Sequence, residues 1–472
     1  MKFGTQITGS ITRLLKDGSG ELARAEGNSF HIYNTIPGET VTATFVKRSK
    51  DGPKATLVSV DGPSPSRVTP RCPYAGTCGG CKWQHIDYEA QFRFKKEAFE
   101  RAIGGAQDLR TQGLKEAKAQ TAILTSYVPA LQHFYYRNRM DFVFGKNGEL
   151  GLKAPDKWWD TLDLSTCFLL SPESVEIMSR VRAWAKSTGL PFWDVKTHEG
   201  FFRYLVIREG KRTGQRMVML VTARPNATTE GLPLLKGELE GVVRVLGDLA
   251  TSIVWGINPT ITDLSIAEEI IPLKGDPWIF EEINGVNYKI TPNAFFQTNT
   301  AMAEQLQNVV KDFCGDLTGK TVLDLFCGSG FFSLAFANAQ SLTPNAFTNF
   351  IGIELSAEAI ACAKENAIAN GLAVQSSNPP TYFTSKAEDF DWKKYAPDIV
   401  ILDPPRAGLH PRVIETILEA KPPRIVYVSC SYPRFFEEMK TLGTAYRITK
   451  TTALDLFPHT PHMECVFLLE RL

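Results

Sequence analysis

The stretch that decides the fold runs from residue 321 to residue 330 and reads TVLDLFCGSG. Its first six residues form an apolar run interrupted only by Asp324 and the leading threonine, as expected for a strand buried on both faces. Gly328 and Gly330 follow, and two glycines there permit a tight turn into a helix and close approach of a ligand to the backbone. The stretch therefore predicts the first strand and the ligand-binding turn of a parallel α/β sheet.

Three more apolar runs follow this stretch, at 350–354, 399–402 and 425–429, and they alternate with helix-like segments at 356–370 and 411–420. Such alternation is typical of a Rossmann-like parallel sheet, whose ligands lie at the carboxyl ends of the strands. The runs end at or next to Glu354, Asp403 and Cys430, all of which carry reactive groups. We therefore expect one site at this edge of the sheet.

The charges near the glycine turn indicate which cofactor the sheet binds. Glu354 ends the second strand, where a carboxylate can accept hydrogen bonds from ribose hydroxyls. A dinucleotide fingerprint calls for glycine or alanine at position 333, where this chain has Ser333. The negative charge of Asp324 disfavours a pyrophosphate but suits a cationic sulfonium that carries its own ammonium group. S-adenosylmethionine is therefore the predicted cofactor, with an ordinary βα turn as the alternative.

Two residues near the carboxyl terminus are candidate catalytic groups. Cys430 follows a strand beside the predicted cofactor cleft, and a thiolate is the strongest nucleophile that a side chain offers. The alternative is an inert core cysteine. Glu464 follows His459 and His462 and precedes an apolar strand at 466–469, which suggests the edge of a site; the alternative is a turn with a solvated carboxylate.

The front of the chain has a different pattern. About five short strands separated by glycine and proline turns fill residues 1–62, and they predict a small closed barrel of the OB type. Residues 63–66 resemble a linker, 87–103 predict a helix, and 120–290 mix strands and helices irregularly. Residues 1–110 hold 16 basic and 11 acidic residues, which is compatible with a nucleic-acid partner.

Nine cysteines in a long chain without an export signal indicate a reducing, cytoplasmic environment, where clustered cysteines more often bind metal than form disulfides. Three of them are spaced Cys72-x5-Cys78-x2-Cys81, and Cys167 follows far downstream. The alternatives for this set are a structural zinc site, which the single Cys-x-x-Cys pair disfavours, and unrelated buried thiols. No stretch is apolar enough to span a membrane, and 43% hydrophobic with 22% charged residues excludes wholesale disorder.

Five motifs together resemble the RNA 5-methyluridine methyltransferases, which use S-adenosylmethionine to modify tRNA or 23S ribosomal RNA. These are PNAFFQTN at 292–299, LDLFCG at 323–328, LDPPRAG at 402–408, VSC at 428–430, and FPHT at 457–460 with Glu464. Residues 63–67 after the barrel resemble the exit of a TRAM domain, and Cys72, Cys78, Cys81 and Cys167 resemble the family's 4Fe–4S cluster site. The resemblance thus covers nearly the whole chain.

The resemblance implies a TRAM barrel at 1–62, a mixed α+β iron–sulfur and RNA-binding domain at 63–290, and a methyltransferase domain at 291–472. It also implies that about 87–118 packs with the catalytic domain. The implied cofactor-binding residues are Gln297, Phe326, Gly328, Gly330, Glu354 and Asp403. Phe331 and Ser431 stand where relatives have asparagine, and neither change removes an essential chemical group.

Methylation of uracil requires residues of these types. Carbon 5 of uracil is too weak a nucleophile to attack a methyl group directly, but addition of Cys430 to carbon 6 makes carbon 5 electron-rich. A base, for which Glu464 is the candidate, then removes the proton from carbon 5. A stacked uridine is out of reach and has to be flipped out of the stack, where Phe295 or Phe296 is a candidate support.

The predicted substrate is 23S ribosomal RNA, and the alternatives are tRNA, carbon 5 of cytosine, and a catalytically silent RNA-binding or assembly factor. We expect a cytoplasmic monomer without a membrane partner. Basic residues that lie in the barrel or among aromatic residues are candidate RNA contacts. They are Arg13, Lys47, Arg48, Lys50 and Lys54 in the barrel, and Arg137, Arg139, Arg203 and Arg208 in the centre.

Overall fold

The computed structural model describes residues 2–23, 29–111, 123–155, 157–224, 236–341, 348–372 and 379–472. The first five strands close into a barrel in the order β1-β2-β3-β5-β4. They are β1 (Gln6–Leu14), β2 (Gly20–Leu22), β3 (Phe30–Ile32), β4 (Thr40–Lys47) and β5 (Lys54–Gly62). In β4 every second side chain, Val41, Ala43 and Phe45, points into the barrel core, as the period of a strand requires. The predicted five-stranded barrel is confirmed.

A seven-stranded sheet fills most of the segment in which the sequence indicated only an irregular mixture. Its order is β13-β12-β11-β10-β7-β8-β9, and only β11 and β12 pair in parallel. The strands are β7 (Arg139–Phe144), β8 (Leu150–Ala154), β9 (Lys157–Asp163), β10 (Phe202–Glu209), β11 (Arg216–Thr222), β12 (Ser252–Ile257) and β13 (Glu269–Lys274). Two helices, α2 (Pro172–Ser187) and α3 (Gly241–Leu246), cover one face.

The carboxyl-terminal part of the chain, joined at one edge by β6 (Leu124–Val128), forms an eight-stranded sheet in the order β18-β17-β16-β19-β20-β22-β21-β6. The first five strands in this order are parallel, and β22 runs antiparallel between β20 and β21. The strands are β16 (Thr321–Leu325), β17 (Asn349–Glu354), β18 (Thr381–Thr384), β19 (Ile399–Leu402), β20 (Arg424–Ser429), β21 (Tyr446–Leu454) and β22 (Glu464–Arg471). The four predicted strands and the two predicted helices are confirmed.

Helices cover both faces of this sheet. On one face lie α4 (Thr300–Cys314), α5 (Phe331–Ser341) and α6 (Ala357–Ala369), which follow the hairpin of β14 (Ile279–Ile283) and β15 (Val286–Ile290). On the other lie α1 (Tyr88–Thr111), α7 (Pro411–Ala420) and α8 (Tyr432–Leu442). Two cores flank the sheet, which explains why its strands are apolar on both sides.

Two elements from the middle of the chain join this sheet. Helix α1, predicted at 87–103, extends to Thr111 and packs on it through Phe99, which contacts Phe467 at 6.0 Å between ring centroids. Strand β6 (Leu124–Val128) pairs in parallel with β21 at the sheet's edge, a position that the sequence did not predict. Residues 112–122, which include part of the predicted segment 87–118, lie outside the described residues.

Candidate active site

The turn after β16 has the backbone that the glycine pattern predicts. Gly328 and Gly330 have φ angles of 53° and 84°, and Phe326 has a φ of 67°, which is unusual for a residue with a side chain. A Cβ at position 330 would lie 2.8 Å from atoms of Leu334 and Tyr382, so only glycine fits there. At position 328 a Cβ would meet no heavy atom within 4 Å, which leaves open space beside the turn.

Carboxylates converge around this turn. Asp324 is buried, accepts a hydrogen bond from the Ser333 amide at 3.3 Å, and has a second oxygen without a hydrogen-bond partner in the described part of the chain. Burial, together with the charges of Asp403 and Glu354, raises the pKa of Asp324 to about 7. Burial also raises the pKa of Asp403 to about 7. A cationic ligand would stabilise these charges, so this cluster of carboxyl groups fits a sulfonium better than a pyrophosphate.

Gln297 lies in the loop that precedes α4. Its backbone carbonyl accepts a hydrogen bond from the Asn138 amide at 2.8 Å, and the same amide group donates to Thr300 at 3.0 Å. Phe296 is buried in the core against Tyr288, whereas Phe295 is 75% exposed. Of the two phenylalanines that the sequence left as alternatives, only Phe295 is therefore free to contact a ligand.

The pairing of β20 with β22 brings together the two candidate catalytic residues. Ser429 pairs with Cys465 in this antiparallel ladder, so Cys430 lies opposite Glu464. Asp403 follows the neighbouring strand β19 and is close enough to raise the pKa of both groups by its charge. Neighbouring strand ends thus place a thiol and two carboxyl groups at one point.

Burial is the main reason that the pKa of Glu464 lies well above its usual value, and Asp403 adds to the shift. Burial and the Glu464 charge likewise raise the pKa of the half-buried Cys430 thiol. Arg406 opposes both shifts, because its positive charge favours the ionised forms of both groups. Sequence reasoning quoted Arg406 within a motif but gave it no role. Its position, three residues after the strand-end carboxylate of Asp403, is the feature of the sequence that could have indicated a role at the site.

The loop that leads into Glu464 is held from several sides. Gln91 of α1 accepts a hydrogen bond from the His459 amide at 2.8 Å and contacts the His459 ring nitrogen Nδ1 at 3.1 Å. The amides of Lys82 and Trp83 both donate to the His459 carbonyl, at 2.8 and 3.0 Å. Because Lys82 directly follows Cys81, the cysteine-bearing loop is attached to the loop of the candidate base.

A buried ion pair and two neutral histidines complete this loop. Lys95 of α1 contacts Asp455 at 2.7 Å, and neither side chain is exposed. Burial lowers the pKa values of His459 and His462 to about 4, so both rings are neutral at pH 7. Neither histidine therefore supplies a positive charge near neutral pH; the His459 ring is buried and contacts Gln91, whereas the His462 side chain retains exposed surface.

The four predicted metal-binding cysteines, Cys72, Cys78, Cys81 and Cys167, line one cavity of about 20 Å³. Burial raises the pKa of Cys78 to about 11 and that of Cys81 to about 12, and neighbouring thiols of this set contribute to both shifts. Within the described ranges, however, no three histidine, cysteine or acidic side chains form a group that could hold a metal ion. The structure thus gathers the cysteines without defining a single-ion site.

A cleft of about 540 Å³ lies between the cysteine loop, the seven-stranded sheet and the segment 457–462 that leads to Glu464. Its lining includes five cationic side chains, which are Lys82, Arg137, Arg139, Lys153 and Arg406. Arg406 also lines a small adjoining pocket together with Cys430. A positively charged cleft of this kind fits a polyanion whose reactive group reaches the thiol.

The predicted RNA contacts divide into two groups. Arg137 and Arg139 line the cleft, and Arg48 and Lys50 are exposed on the barrel, where Arg13 forms an ion pair with Glu21 at 2.6 Å. Lys47 and Lys54 lie in strands β4 and β5 of the same barrel.

The prediction for Arg203 and Arg208 is wrong. Their side chains are buried, with 1% and 3% exposed. Arg203 donates to the carbonyls of Asn258 and Thr260 at 3.0 and 2.5 Å, and Arg208 donates to the carbonyl of Pro292 at 3.1 Å. Both guanidinium groups donate hydrogen bonds to backbone carbonyls of the protein. The aromatic residues next to them in the sequence had suggested RNA contacts instead.

Known proteins resemble this chain over its whole length. The sequence profile of the tRNA (Uracil-5-)-methyltransferase family matches residues 281–472. A tRNA (uracil(54)-C(5))-methyltransferase of Pyrococcus furiosus is 33% identical over 99% of this chain and 100% of its own length. An uncharacterized RNA methyltransferase of Caldanaerobacter subterraneus subsp. tengcongensis is 32% identical over 100% of both chains.

A solved structure agrees with these relatives. The tRNA (uracil-54, C5)-methyltransferase of Pyrococcus abyssi, in complex with S-adenosyl-L-homocysteine, has a TM-score of 0.75 and 31% identity to this chain. The match covers 98% of this chain and 99% of that one.

The fold, the cluster of carboxyl groups beside the glycine turn and these relatives define an S-adenosylmethionine-dependent enzyme that methylates RNA. More specifically, the chain belongs to the RNA uracil-C5 methyltransferase family, whose profile matches it under the description tRNA (Uracil-5-)-methyltransferase.

Two finer expectations lack support from these relatives. Their names mention tRNA or RNA, and none of the four mentions 23S ribosomal RNA or an iron–sulfur cluster. The predicted preference for 23S ribosomal RNA is therefore unsupported, and the alternative substrate, tRNA, is favoured. In the part of the chain that the structure describes, no helix is long and apolar enough to cross a membrane.

Proposed function

We propose that the enzyme methylates carbon 5 of a uridine in tRNA through a transient bond between Cys430 and carbon 6 of the base. The observation that carries this proposal is the strand register that places Cys430 opposite Glu464, with Asp403 at the adjacent strand end. A nucleophile and a base next to a cleft are the two groups that the reaction requires.

The proposed reaction begins with the thiolate of Cys430, which Arg406 favours over the thiol. The sulfur adds to carbon 6, and the electrons of the carbon 5–carbon 6 double bond move into an enolate. Bound S-adenosylmethionine supplies an electrophilic methyl group on a sulfonium. Carbon 5 would take this methyl group as the methyl–sulfur bond breaks and S-adenosylhomocysteine leaves. Glu464 removes the proton from carbon 5, and the double bond re-forms as the Cys430 sulfur leaves carbon 6.

For the cofactor we propose the residues around the glycine turn: Gln297, Phe326, Gly328, Gly330, Glu354 and Asp403. Open space beside Gly328 and the unpartnered oxygen of Asp324 support a ligand at this place. The carboxylates with raised pKa values favour a ligand that carries positive charge.

For the RNA we propose the cationic cleft, with the TRAM barrel of residues 1–62 as an additional contact. Arg137 and Arg139 would neutralise phosphates, and the exposed Phe295 would stack on the flipped uracil. The choice of tRNA over 23S ribosomal RNA rests on the Pyrococcus relatives, whose names specify tRNA.

For the four cysteines we propose a 4Fe–4S cluster that organises the loop next to His459. Their shared cavity supports this assignment, and a four-iron cluster keeps its ligand sulfurs farther apart than a single ion does. Anaerobic purification should give brown protein with about four iron atoms per chain. Colourless protein with stoichiometric zinc would overturn this assignment.

The covalent step is tested with tRNA that contains 5-fluorouridine. Fluorine replaces the hydrogen that the base must remove from carbon 5 as a proton, so elimination is blocked and the adduct persists. Wild-type enzyme with S-adenosylmethionine should form an adduct that survives denaturing electrophoresis. Cys430→Ala should form none, and Cys362→Ala, which removes a buried thiol of α6, should behave as wild type. An adduct with Cys430→Ala would refute the mechanism.

The substrate is tested by mass-spectrometric mapping of 5-methyluridine in tRNA and in 23S ribosomal RNA after the gene has been deleted. We expect one 5-methyluridine to disappear from tRNA and ribosomal RNA to remain unchanged. Loss of 5-methyluridine from 23S ribosomal RNA alone would show that ribosomal RNA, and not tRNA, is the substrate.

A further inference from the structure

Residues 258–268, which connect β12 to β13, form a loop that buried polar groups hold in place; we call it the 258–268 loop. The guanidinium group of Arg203, 1% exposed, donates to the carbonyls of Asn258 and Thr260 and also to that of Thr262. The Asn258 side-chain amide donates to the carbonyl of Leu264 at 3.0 Å. One buried arginine thus holds the carbonyl groups of three alternate residues in this loop.

The second half of the loop is held just as firmly. The side chain of Asn293 accepts from the amide of Ala267 at 3.1 Å and donates to its carbonyl at 2.8 Å. The Ser265 hydroxyl hydrogen-bonds to Asp141, and Arg139 reaches the same hydroxyl at 3.4 Å. The backbone of the loop is therefore preorganised along its whole length.

This rigid backbone presents apolar side chains to solvent. Ile261 is 65% exposed, Leu264 is 52% exposed and Ile266 is 51% exposed. Isolated exposed aliphatic residues are common on protein surfaces, but three within six residues of a rigid loop form a patch that favours an interaction site.

The loop borders the cationic cleft. Arg139, Asp141 and Lys153 line the cleft, and each is bonded to the loop: Arg139 and Asp141 contact Ser265, and Lys153 pairs with Asp263. At its other end the loop is bonded to Asn293, two residues before the exposed Phe295. The apolar patch is thus continuous with the surface that the proposed function assigns to RNA.

We infer that the 258–268 loop is an RNA-binding surface on which Ile261, Leu264 and Ile266 pack against the nucleotide next to the flipped uridine. Removing one base from a stack exposes the faces of its neighbours, and apolar side chains can cover them. The adjacent cations would neutralise the phosphates of the same segment. This inference rests on the proposed function and adds a place that recognises RNA beyond the target base.

The test replaces the three exposed residues together, as Ile261→Ser, Leu264→Ser and Ile266→Ser. We expect the KM for tRNA to rise at least tenfold, with kcat within threefold of wild type and the KM for S-adenosylmethionine unchanged. The melting temperature should stay within about 2 °C, because exposed side chains contribute little to stability. A matched control replaces three exposed aliphatic residues elsewhere, Leu124, Ile368 and Leu472, with serine, and should behave as wild type.

RNA binding without S-adenosylmethionine, measured by filter retention, separates this inference from the proposed function. If wild-type enzyme methylates tRNA and the loop variant binds and turns over tRNA equally well, the inference is wrong and the patch belongs to another partner, such as a protein. If wild-type enzyme methylates a different RNA, the proposed substrate is wrong. In that case, at least tenfold weaker binding of that RNA by the loop variant would still support the inference.

Discussion

The two large sheets of this protein use charged residues in opposite ways. In the eight-stranded sheet, Asp403, Cys430 and Glu464 lie together at neighbouring strand ends, and Cys430 lines a small pocket. In the seven-stranded sheet, Arg203 and Arg208 lie inside β10, whose eight residues are all buried, and they bond to protein carbonyls. Whether a charged side chain can contact a ligand or bonds to the protein backbone thus depends more on its position, at the end or in the interior of a strand, than on its residue type.

The physical reason is the cost of burying a charge. A guanidinium group has five N–H donors, and inside a sheet only backbone carbonyls and acidic side chains can satisfy them. At a strand end the chain leaves the sheet, so a carboxylate or thiol can remain partly unpaired until a ligand arrives. We therefore expect substitutions at the strand ends of the eight-stranded sheet to impair catalysis. Substitutions of the buried arginines in the seven-stranded sheet should lower stability instead.

The largest effect is expected at Glu464 in the eight-stranded sheet. Glu464→Gln cannot accept the proton from carbon 5, so turnover should fall by about 10²–10⁴-fold. The methylated RNA should accumulate as a covalent adduct on Cys430, visible as a shifted protein band. Glu437→Gln, which alters an exposed surface pair with Lys440, should leave turnover unchanged. Wild-type turnover in Glu464→Gln would assign the base elsewhere.

The pH dependence of catalysis should reflect the same strand ends. Because the pKa values of Cys430 and Glu464 are both raised, the thiol and the carboxyl group bind protons more tightly than usual. The active forms are the thiolate and the carboxylate, so kcat/KM for RNA should increase with pH across the neutral range. For one controlling group the increase is about tenfold per pH unit below its pKa. A flat profile under conditions where chemistry limits the rate would contradict the assigned roles.

In the seven-stranded sheet, Arg208→Met should mainly lower stability. It leaves the buried carbonyl of Pro292 without its donor, at about 1–3 kcal/mol, and removes one of two donors to the partly buried carbonyl of Ala294. The variant should therefore melt several degrees below wild type in calorimetry. Arg412→Met, on the surface of α7, is the control and should change the melting temperature little. An unaltered melting temperature in Arg208→Met would show that the hydrogen bonds of this arginine do not stabilise the folded protein.

The smallest effect is expected on the barrel, where Arg48 is exposed. If Arg48 contacts one phosphate, Arg48→Ala should weaken tRNA binding slightly and reduce the salt dependence of log Kd by about one. Arg412 lies on α7, outside the barrel, and Arg412→Ala should leave the slope unchanged. An unaltered slope in Arg48→Ala would remove this residue from the proposed contacts.

The sequence predicted strands correctly where a continuous apolar run corresponds to a strand that is buried on both faces. The runs that end at Glu354, Asp403 and Cys430 are strands because residues buried on both faces must be apolar throughout. The sequence was uninformative about β10, where Arg203 and Arg208 interrupt a buried strand and resemble RNA contacts until their carbonyl partners are known. It also left Phe295 and Phe296 equivalent, since adjacent residues differ only in the direction in which they point.

The sequence by itself determined the barrel, the parallel strands, the glycine turn and the residue types at the strand ends, because these follow from short-range periodicity and backbone freedom. Only the tertiary structure decided that β22 lies antiparallel beside β20, which puts Glu464 opposite Cys430, and that β6 completes the same sheet. It also decided that Arg203 holds the 258–268 loop. These contacts join residues that are tens to hundreds of positions apart, and pairing at such separations depends on which buried surfaces fit together rather than on any local pattern.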